Sequence, residues 1–564
     1  MTSDSIEAFD STANPHLGAV ISLPEFITMT GDLTEAERRT IVDQARALIE
    51  DIYVHLPLKR AMHAVDPVQR LKLLRRKLDR LTERQFHNDM INVFKRLRDL
   101  HTNYILPAPY KQHTAFLPFL MEEFYGAEGR RHYIVTRVFQ GFDHPTFVPG
   151  VEVTHWSGVP IDRAVEINAD REAGSNEAAR HVRGLDNMTV RPMLMSLPPD
   201  AEWVVVSYGT EGAELEIRLP WQVFRPDPGP DANAMTVSGS TDLVKTSLGL
   251  DLNMEVTNRA RKILFAPEVM DRQKEAADLR AQGDALAIER QTFQAENSLF
   301  PDTFEFRSVE TDHGTFGHLR IRTFSAPGPD AFLAEVIRIL NLLPQNGLII
   351  DVRNNGGGII LNGERMLQLF APGPVEAERL HFINTEVTAA IARSNALGGF
   401  GRRWLPSIEL AVVTGAMYSQ GFPLEPQEAT NALGRRYDGP VILITDARCY
   451  STTDFFAAGF QDNRLGPVLG VDDNTGAGGA NVFTHSLLQA VLQGPGSPIQ
   501  PLPKGADMRV ALRMSTRVKE RAGLPLEDLG VEPDATHRLT RRDLLEGNRD
   551  LINEAGRILA GGIV

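Results

Sequence analysis

Two stretches near the N-terminus carry apolar residues at the three- and four-residue spacing of an amphipathic helix. Each follows a threonine that has Glu or Gln three positions later, which is typical of a capping box, one at Thr34 and one at Thr82. The pattern predicts one helix starting after Thr34 and a second ending near Leu100. We therefore expect an N-terminal arm over residues 1–30 and a helical domain over residues 31–112.

From Ala115 onward the spacing changes to short β-type runs separated by Gly and Pro turns, which predicts a small, mostly β module over residues 113–225. Within it, residues 150–158 (GVEVTHWSG) predict a strand that enters a tight turn. This segment resembles a PDZ-like domain, the kind that captures peptide ends by strand addition, and a generic β-hairpin is the alternative. The predicted strands are residues 133–139, 151–156, 203–208 and 215–221.

Residues 226–300 interrupt this order. The segment is first rich in Pro, Asp, Gly and Ser, and is then charged and helix-prone over residues 269–296. It is interpreted as an insertion or linker, and a loop of this length is either functional or disordered.

Beyond residue 300, strand-like apolar runs alternate with helix-like patterns, which is typical of α/β architecture. A helix capped by Asp330 is predicted. Residues 347–352 and 440–445 are mainly apolar, as expected for strands of a sheet covered on both faces. We expect an α/β core over residues 301–545 and a C-terminal tail over residues 546–564.

Composition and charge restrict the classes of partner. The chain has 564 residues and a formal net charge of −14 without a segregated basic patch, so we expect no nucleic-acid partner. Cys449 is the only cysteine, which excludes an internal disulfide. Residues 1–16 lack the basic and apolar regions of a signal peptide, and no run approaches 18 apolar residues. The expectation is a cytoplasmic protein that does not associate with membranes.

Two predicted strand-to-helix turns carry the residues that suit chemistry. At residues 351–358 (DVRNNGGG), consecutive glycines can aim several backbone N–H groups into one concavity, which suits an oxyanion hole. A phosphate-binding loop is a weaker alternative because the glycines do not have G-x-G-x-x-G spacing and no GK[ST] follows. A simple tight turn is the remaining alternative.

The second turn places Ser451 between a buried strand and a helix N-terminus, where free N–H groups favour a developing oxyanion. Ser451 is therefore a candidate nucleophile. The alternative is structural, because Ser451 and Asp454 also form a capping-box pattern. A catalytic serine needs a base, and local spacing does not choose that base among the 15 histidines.

Four segments, taken in order, resemble the S41 peptidase family, which includes the C-terminal processing and tricorn-core proteases. The resemblance implies a serine peptidase with a ClpP/crotonase-like catalytic core, an N-terminal helical domain and a PDZ-like module. The four segments are residues 97–104 (LRDLHTNY), 347–358, 451–462 and 527–534 (EDLGVEPD).

The family has two catalytic styles, and this chain lacks the lysine that one of them requires. Neither Lys nor Arg occurs in residues 465–503, which contain the glycine-rich turn where that lysine is found. The resemblance therefore implies the histidine–glutamate style of the tricorn-core enzymes. It assigns Ser451 as the nucleophile, His101 as the general base and Glu527 as the group that orients His101.

For the oxyanion hole, the resemblance implies the backbone N–H groups of Thr452 and one glycine of the triplet. Gly357 is the first choice and Gly358 the second. One departure from the tricorn-type pattern is Leu100, which stands where those enzymes have a serine immediately before the histidine. The site is thus reduced from a tetrad to a triad.

The predicted function is a serine endopeptidase that hydrolyses protein or peptide substrates through an acyl-enzyme. A catalytically inactive, PDZ-containing peptide-binding protein and a crotonase-like acyl-CoA enzyme are the alternatives. Neither a metal nor an organic cofactor is implied, because no CxxC cluster or HExxH occurs. The resemblance also makes a homo-oligomer and a regulatory role for residues 226–300 expectations.

Overall fold

The computed structural model describes residues 14–31, 33–210, 213–226, 249–271, 298–325, 328–395, 399, 401–494 and 496–562. Among these residues the chain begins with a mainly helical part. Its elements are β1 (Val20–Ser22), α1 (Leu23–Thr28), α2 (Glu35–Asp51), α3 (Leu56–His63), α4 (Pro67–Arg75) and α5 (Glu83–Lys95).

The two threonine capping boxes predicted from the sequence are formed. Thr34 caps α2 and Thr82 caps α5, each with both reciprocal hydrogen bonds. The predicted end of α5 near Leu100 is wrong, because the helix ends at Lys95. Arg98 has a φ of 55°, a left-handed conformation that an α-helix does not continue through. His101 consequently lies on a loop.

The next part contains the predicted strands and, in addition, two helices. Five strands form a sheet in the order β10-β9-β6-β5-β4, with β7 paired to β6, and a smaller sheet has the order β1-β11-β3-β8. The elements are β2 (Asn103–Ile105), β3 (Thr114–Phe116), β4 (Phe119–Tyr125), β5 (Arg131–Val138), β6 (Glu152–Trp156), β7 (Val159–Pro160), α6 (Ile161–Ala169), α7 (Glu177–Asp186), β8 (Val190–Pro192), β9 (Trp203–Thr210), β10 (Ala213–Pro220) and β11 (Gln222–Phe224).

Only part of the predicted insertion is described. It forms β12 (Gly249–Leu250) and α8 (Leu252–Phe265). This helix begins well before residues 269–296, where the helix-prone pattern was found, and residues 272–296 of that pattern lie outside the described residues. Asp251 is the N-cap of α8, because its side chain accepts the backbone N–H of Met254. In the sequence this residue is not distinguished from the other polar residues that precede it.

The rest of the chain alternates strands and helices, which confirms the α/β fold class. Its elements are β13 (Phe304–Thr311), β14 (Gly314–Ile321), α9 (Pro329–Leu342), β15 (Leu348–Asp351), β16 (Gly357–Gly358), α10 (Ile360–Leu367), β17 (Arg379–Phe382), α11 (Glu386–Arg393), α12 (Leu405–Thr414), α13 (Gln427–Thr430), β18 (Val441–Thr445), α14 (Thr452–Asp462), β19 (Val468–Gly470), β20 (Ala480–Thr484), α15 (His485–Val491), β21 (Asp507–Thr516), β22 (Ala535–Thr536), α16 (Arg541–Leu545) and α17 (Arg549–Leu559).

The main sheet of this core has the strand order β13-β14-β15-β18-β19-β22. The β13–β14 pair is antiparallel and the following pairs are parallel. Every residue of β15 and β18 is buried, as their apolar sequences predict. The helix expected to be capped by Asp330 instead has Gly328 at its N-cap and Pro329 in its first turn, where the missing proline N–H costs no helical hydrogen bond.

A second sheet joins the helical part to the core. Strand β2, which begins two residues after His101, pairs antiparallel with β21, and β17 and β20 also pair with β21. The C-terminal segment predicted as a tail forms α17, whose Leu551 and Ala555 are buried in a cluster with Ile349 and Ile442 of the main sheet. In the described part of the chain, no helix has the length and apolar character needed to cross a membrane.

Candidate active site

Ser451 occupies a strained turn between β18 and α14. Its φ of 59° and ψ of −117° are rarely adopted by a residue with a side chain. The side chain is fully buried, and its Oγ has no hydrogen-bond partner among the described residues. The backbone N–H donates to Asp454 Oδ2 at 2.9 Å. The Asp454 carboxylate thus supports the turn, while the hydroxyl predicted as a possible helix cap is unbonded.

The same carboxylate links Ser451 to the glycine-rich turn that follows it in sequence. Asp454 accepts the backbone N–H groups of Ala477 at 3.2 Å and Gly478 at 2.8 Å. Burial raises the pKa of Asp454 to about 7, and these hydrogen bonds oppose that shift. Residues 470–479, where the serine–lysine style would place its base, here serve to fix the backbone around Ser451.

Gly357 lies directly against Ser451, and Gly358 follows it. Their φ values are 105° and 145°, and a Cβ on Gly357 would lie 2.9 Å from the Cβ of Ser451. The Oγ1 of Thr452 donates to the carbonyl of Gly358 at 2.9 Å. The N–H of Gly357 donates to Asn355 Oδ1 at 3.0 Å, so it is engaged in this arrangement. The structure therefore brings the three predicted oxyanion residues together beside Ser451.

Strand β12 of the insertion covers this turn. It pairs antiparallel with β16, with Gly249 opposite Gly358. A Cβ on Gly249 would lie 2.5 Å from Ser451 Oγ, so only glycine fits there without displacement of the hydroxyl. The backbone of the insertion thus lies against the Ser451 hydroxyl.

His101 is buried on the loop between α5 and β2. Its Nδ1 is 3.3 Å from the Tyr450 hydroxyl, and its Nε2 has no hydrogen-bond partner among the described residues. Its backbone N–H donates to Asp99 Oδ1 at 2.7 Å. Burial lowers the pKa of His101 to about 3, with Asp99 opposing the shift. The imidazole is therefore neutral at physiological pH, the form that a general base requires.

Glu527 is also buried, but its contacts are not with His101. Its Oε1 accepts from Lys59 Nζ at 2.7 Å and its Oε2 accepts from the Gly479 N–H at 3.3 Å. Lys59 also donates to Asp528 Oδ1 at 2.7 Å. Burial and the nearby Asp99 carboxylate raise the pKa of Glu527, while Lys59 opposes this shift. Ser451, His101 and Glu527 all lie in the described part of the chain, and no hydrogen bond joins any two of them.

One group near Glu527 has the composition of a metal site. Potential ligand atoms of His55, Asp99 and Glu527 lie within 4.8 Å of one another, and all three side chains are buried. The Lys59 ammonium already supplies positive charge to this group through its contact with Glu527. A divalent cation would be repelled by that ammonium, so the residues fit an ion-pair cluster better than a metal centre.

Sequence reasoning missed four residues of the site. Asp99 and Tyr450 stand close in sequence to His101 and Ser451, and their polar or aromatic character was the available signal. Lys59 lies on α3, and Gly249 lies in the polar insertion, where nothing in the local pattern distinguishes them. Their roles depend on contacts between distant parts of the chain.

Comparisons with known proteins agree with this architecture. Residues 315–536 match the model of peptidase family S41. The structure of mature CPAF is similar, with a TM-score of 0.62 and 16% identity, over 93% of this chain and 98% of that chain. The structure of mature CPAF complexed with lactacystin has a TM-score of 0.61 and 16% identity, over 93% of this chain and 99% of that chain. No curated protein matches the chain in sequence at a significant level.

The resemblance to family S41 is confirmed by this match, and with it the expected class of enzyme, a serine peptidase. The matched segment contains Ser451, Glu527 and the glycine turn, whereas His101 lies outside it. The likeness to CPAF shows the fold alone at this level of identity.

Proposed function

We propose that this chain, whose residues 315–536 form a serine peptidase domain of family S41, hydrolyses protein or peptide substrates through an acyl-enzyme. Ser451 is the nucleophile and His101 the general base. The observation that carries the proposal is that two buried polar atoms, Ser451 Oγ and His101 Nε2, have no hydrogen-bond partner among the described residues, while the His101 ring packs against Tyr450, the residue before Ser451. Buried polar atoms without partners are costly to maintain, which favours a functional reason for them.

In the proposed reaction, Oγ attacks the scissile carbonyl carbon while Nε2 accepts the hydroxyl proton. The proton then passes to the leaving amine, and water hydrolyses the acyl-enzyme by the same steps. Glu527 stabilises the imidazolium once it gains a contact with His101 that this arrangement lacks. Apo sites commonly hold such hydrogen bonds long or unformed until substrate binds.

The oxyanion is stabilised by backbone N–H groups at Thr452 and at Gly357 or Gly358. Thr452 begins α14, so its N–H has no acceptor within the helix. The Gly357 N–H must lose its hydrogen bond to Asn355 Oδ1 before it can donate to the oxyanion. Thr452 and Gly358 are already in contact, because the Thr452 hydroxyl donates to the Gly358 carbonyl.

Residues 113–225 position the substrate in this proposal. A PDZ-like module binds a peptide by adding it as a strand to a sheet edge. In the described sheet the outer strands are β4 and β10, which places two edges within the module.

The insertion regulates access to the nucleophile. Because Gly249 lies against Ser451 Oγ and β12 pairs with the glycine turn, a substrate peptide cannot occupy that place until β12 withdraws. Cleavage within residues 226–300 is one way to release it.

The test is Ser451→Ala, with Ser486→Ala as the matched control because Ser486 is exposed on α15. Cleavage of casein should fall by at least about 10⁴-fold in Ser451→Ala, and labelling by a fluorophosphonate should disappear. Ser486→Ala should keep both activities. Parental cleavage by Ser451→Ala, or labelling of another serine, would overturn the nucleophile assignment.

Intact mass, followed in the same samples, tests the role of the insertion. We expect casein cleavage to rise as products cut within residues 226–300 accumulate. A fully active preparation that remains a single uncleaved species would refute processing as a requirement and leave Ser451 untouched. Casein binding without cleavage in every preparation would favour a non-catalytic peptide-binding protein.

A further inference from the structure

The Tyr450 hydroxyl lies at the centre of a buried hydrogen-bond group beside the proposed base. It accepts the backbone N–H of Leu100 at 3.1 Å. It lies 3.3 Å from His101 Nδ1 and 3.5 Å from Asp99 Oδ1. Tyr450 is also the residue immediately before Ser451, so one turn of backbone carries both the nucleophile and a contact to its base.

The direction of each hydrogen bond follows from the neighbouring groups. Against the effect of its burial, Lys59 and His55 hold the pKa of Asp99 below its usual value, so this carboxylate accepts only. Burial raises the pKa of Tyr450 well above its usual value, and the surrounding carboxylates add to the shift. The phenol therefore keeps its proton. Asp99 Oδ1 at 3.5 Å can only accept, whereas His101 Nδ1 at 3.3 Å can accept or donate, so both contacts are satisfied only when the phenol donates to Asp99.

That assignment leaves the phenol oxygen as an acceptor toward the imidazole. Nδ1 must then carry the proton of the neutral ring, and Nε2 is left unprotonated. The unbonded, buried Nε2 is consistent with this tautomer, which is the one that can accept a proton from Ser451.

Asp99 and Tyr450 itself are both held in place. Asp99 is fixed through both oxygens, because Oδ1 accepts the His101 backbone N–H at 2.7 Å and Oδ2 accepts from Thr102 Oγ1 at 2.9 Å. The Tyr450 backbone N–H donates to the Asn355 carbonyl at 3.1 Å. A Cβ on Gly478 would overlap the Tyr450 ring, so the phenol is packed closely on that face.

We propose that Tyr450, anchored by Asp99, is a positioning residue that holds His101 in the Nδ1–H tautomer with Nε2 directed to proton transfer. The resemblance to family S41 assigns orientation of the histidine to Glu527, which in this arrangement contacts Lys59 instead. The inference rests on the proposed function only for the role of His101 as the base.

The test compares Tyr450→Phe with Tyr437→Phe. Both substitutions remove the hydroxyl of a buried tyrosine, and the Tyr437 hydroxyl donates to the Pro344 carbonyl instead. The tautomer is read from ¹⁵N shifts of the His101 ring in histidine-labelled protein, assigned by its absence in His101→Gln. Ser451→Ala is the background, so this readout does not require activity.

We expect Nδ1 to be protonated in the Ser451→Ala parent and in Tyr437→Phe, and a mixture of tautomers in Tyr450→Phe. In active protein, Tyr450→Phe should lower kcat in proportion to the fraction of imidazole in the wrong tautomer, which is about tenfold if nine-tenths of the rings carry the proton on Nε2. KM should change by less than about twofold, because the hydroxyl lies behind the base and does not contact substrate.

An Nε2–H tautomer in the parent, or an unchanged tautomer and kcat in Tyr450→Phe, would overturn the inference. It is equally overturned if Glu527→Gln changes the tautomer and Tyr450→Phe does not. Failure of the proposed function has a different signature, which is parental casein cleavage by Ser451→Ala. Matching thermal midpoints for the two Tyr→Phe proteins separate the effect on the base from a general loss of stability.

Discussion

The proposed nucleophile, Ser451, and the proposed base, His101, are held by different physical means. The nucleophile turn, residues 356–358 and 450–452, is shaped by backbone geometry, since Gly357 and Gly358 have positive φ and Ser451 has a φ of 59°. The base side depends on a charge cluster, which we define as His55, Lys59, Asp99, Glu527 and Asp528. All five are buried, and Lys59 donates to Glu527 and Asp528 at 2.7 Å each.

The difference indicates which part of the site can rearrange. In the nucleophile turn, backbone packs directly on backbone, so the turn cannot change conformation without unfolding locally. Ion pairs among several carboxylates and one ammonium can exchange partners with little movement of the chain. A change that brings Glu527 to His101 is therefore expected within the charge cluster, while the nucleophile turn keeps its backbone conformation and loses only the contacts of Asn355 and β12.

Gly358→Ala gives the largest effect that we expect on the nucleophile turn. The new methyl group would overlap the carbonyl carbon of Phe324, and alanine would have to adopt a φ near 145°. Overlap with backbone and a disfavoured dihedral should together cost about 4 kcal/mol or more of unfolding free energy. Urea unfolding followed by circular dichroism measures this.

Gly373→Ala is the matched control, because a Cβ there would meet no atom within 4 Å and its φ is not in the left-handed region. It should change stability by less than about 0.5 kcal/mol. Equal stability of Gly358→Ala and the parent would show that the turn can relax, and would remove the distinction between a rigid nucleophile turn and an adaptable charge cluster.

Lys59→Met tests the charge cluster. It leaves Glu527 and Asp528 buried without their ammonium, which should destabilise the fold by about 3 kcal/mol. Lys77→Met, at a half-exposed lysine paired with Asp89 at 2.8 Å, should cost less than about 1 kcal/mol. Similar losses in the two variants, measured by urea unfolding at neutral pH, would mean that the buried lysine is not what holds the cluster together.

The nucleophile turn could largely be predicted from the sequence. Buried parallel strands appear as apolar runs, and a glycine triplet next to one of them marks a close approach of backbone. Residues 347–352 and 440–445 gave β15 and β18, and Ser451 was identified as the residue at the second turn. Helix boundaries were less exact, as at α5, because a left-handed Arg98 gives no signal in the apolar spacing.

The charge cluster could not be predicted in the same way. Lys59 and Glu527 are 468 positions apart, and a lysine on a helix is usually solvated, so no local pattern marks this one as buried. Motif resemblance supplied His101 and Glu527 as separate residues and suggested that they meet. Their actual partners, Tyr450 and Lys59, depend on how the helical part docks on the core through β2 and β21.

Glu364→Gln, the smallest effect, sharpens the comparison because this carboxyl is buried outside the charge cluster. Glu364 lies on α10, and neither carboxylate oxygen has a hydrogen bond among the described residues. Burial raises the pKa of Glu364 to about 8, with Glu425 adding to the shift and Arg513 opposing it. It therefore stays protonated at neutral pH, and unlike Glu527 it has no lysine ammonium beside it among the described residues.

The raised pKa fixes the sign of the pH dependence. Between the unfolded pKa near 4.5 and the folded value of about 8, the unfolded chain has lost this proton and the folded chain has kept it. Stability due to Glu364 therefore falls as pH rises through that window. Glutamine does not titrate, so Glu364→Gln should raise the free energy of unfolding by about 1–3 kcal/mol at pH 7.5 and by almost nothing at pH 4.5. An exposed control, Glu428→Gln on α13, should change little at either pH, and a gain in Glu364→Gln that is equal at both values would show that the folded carboxyl ionises normally.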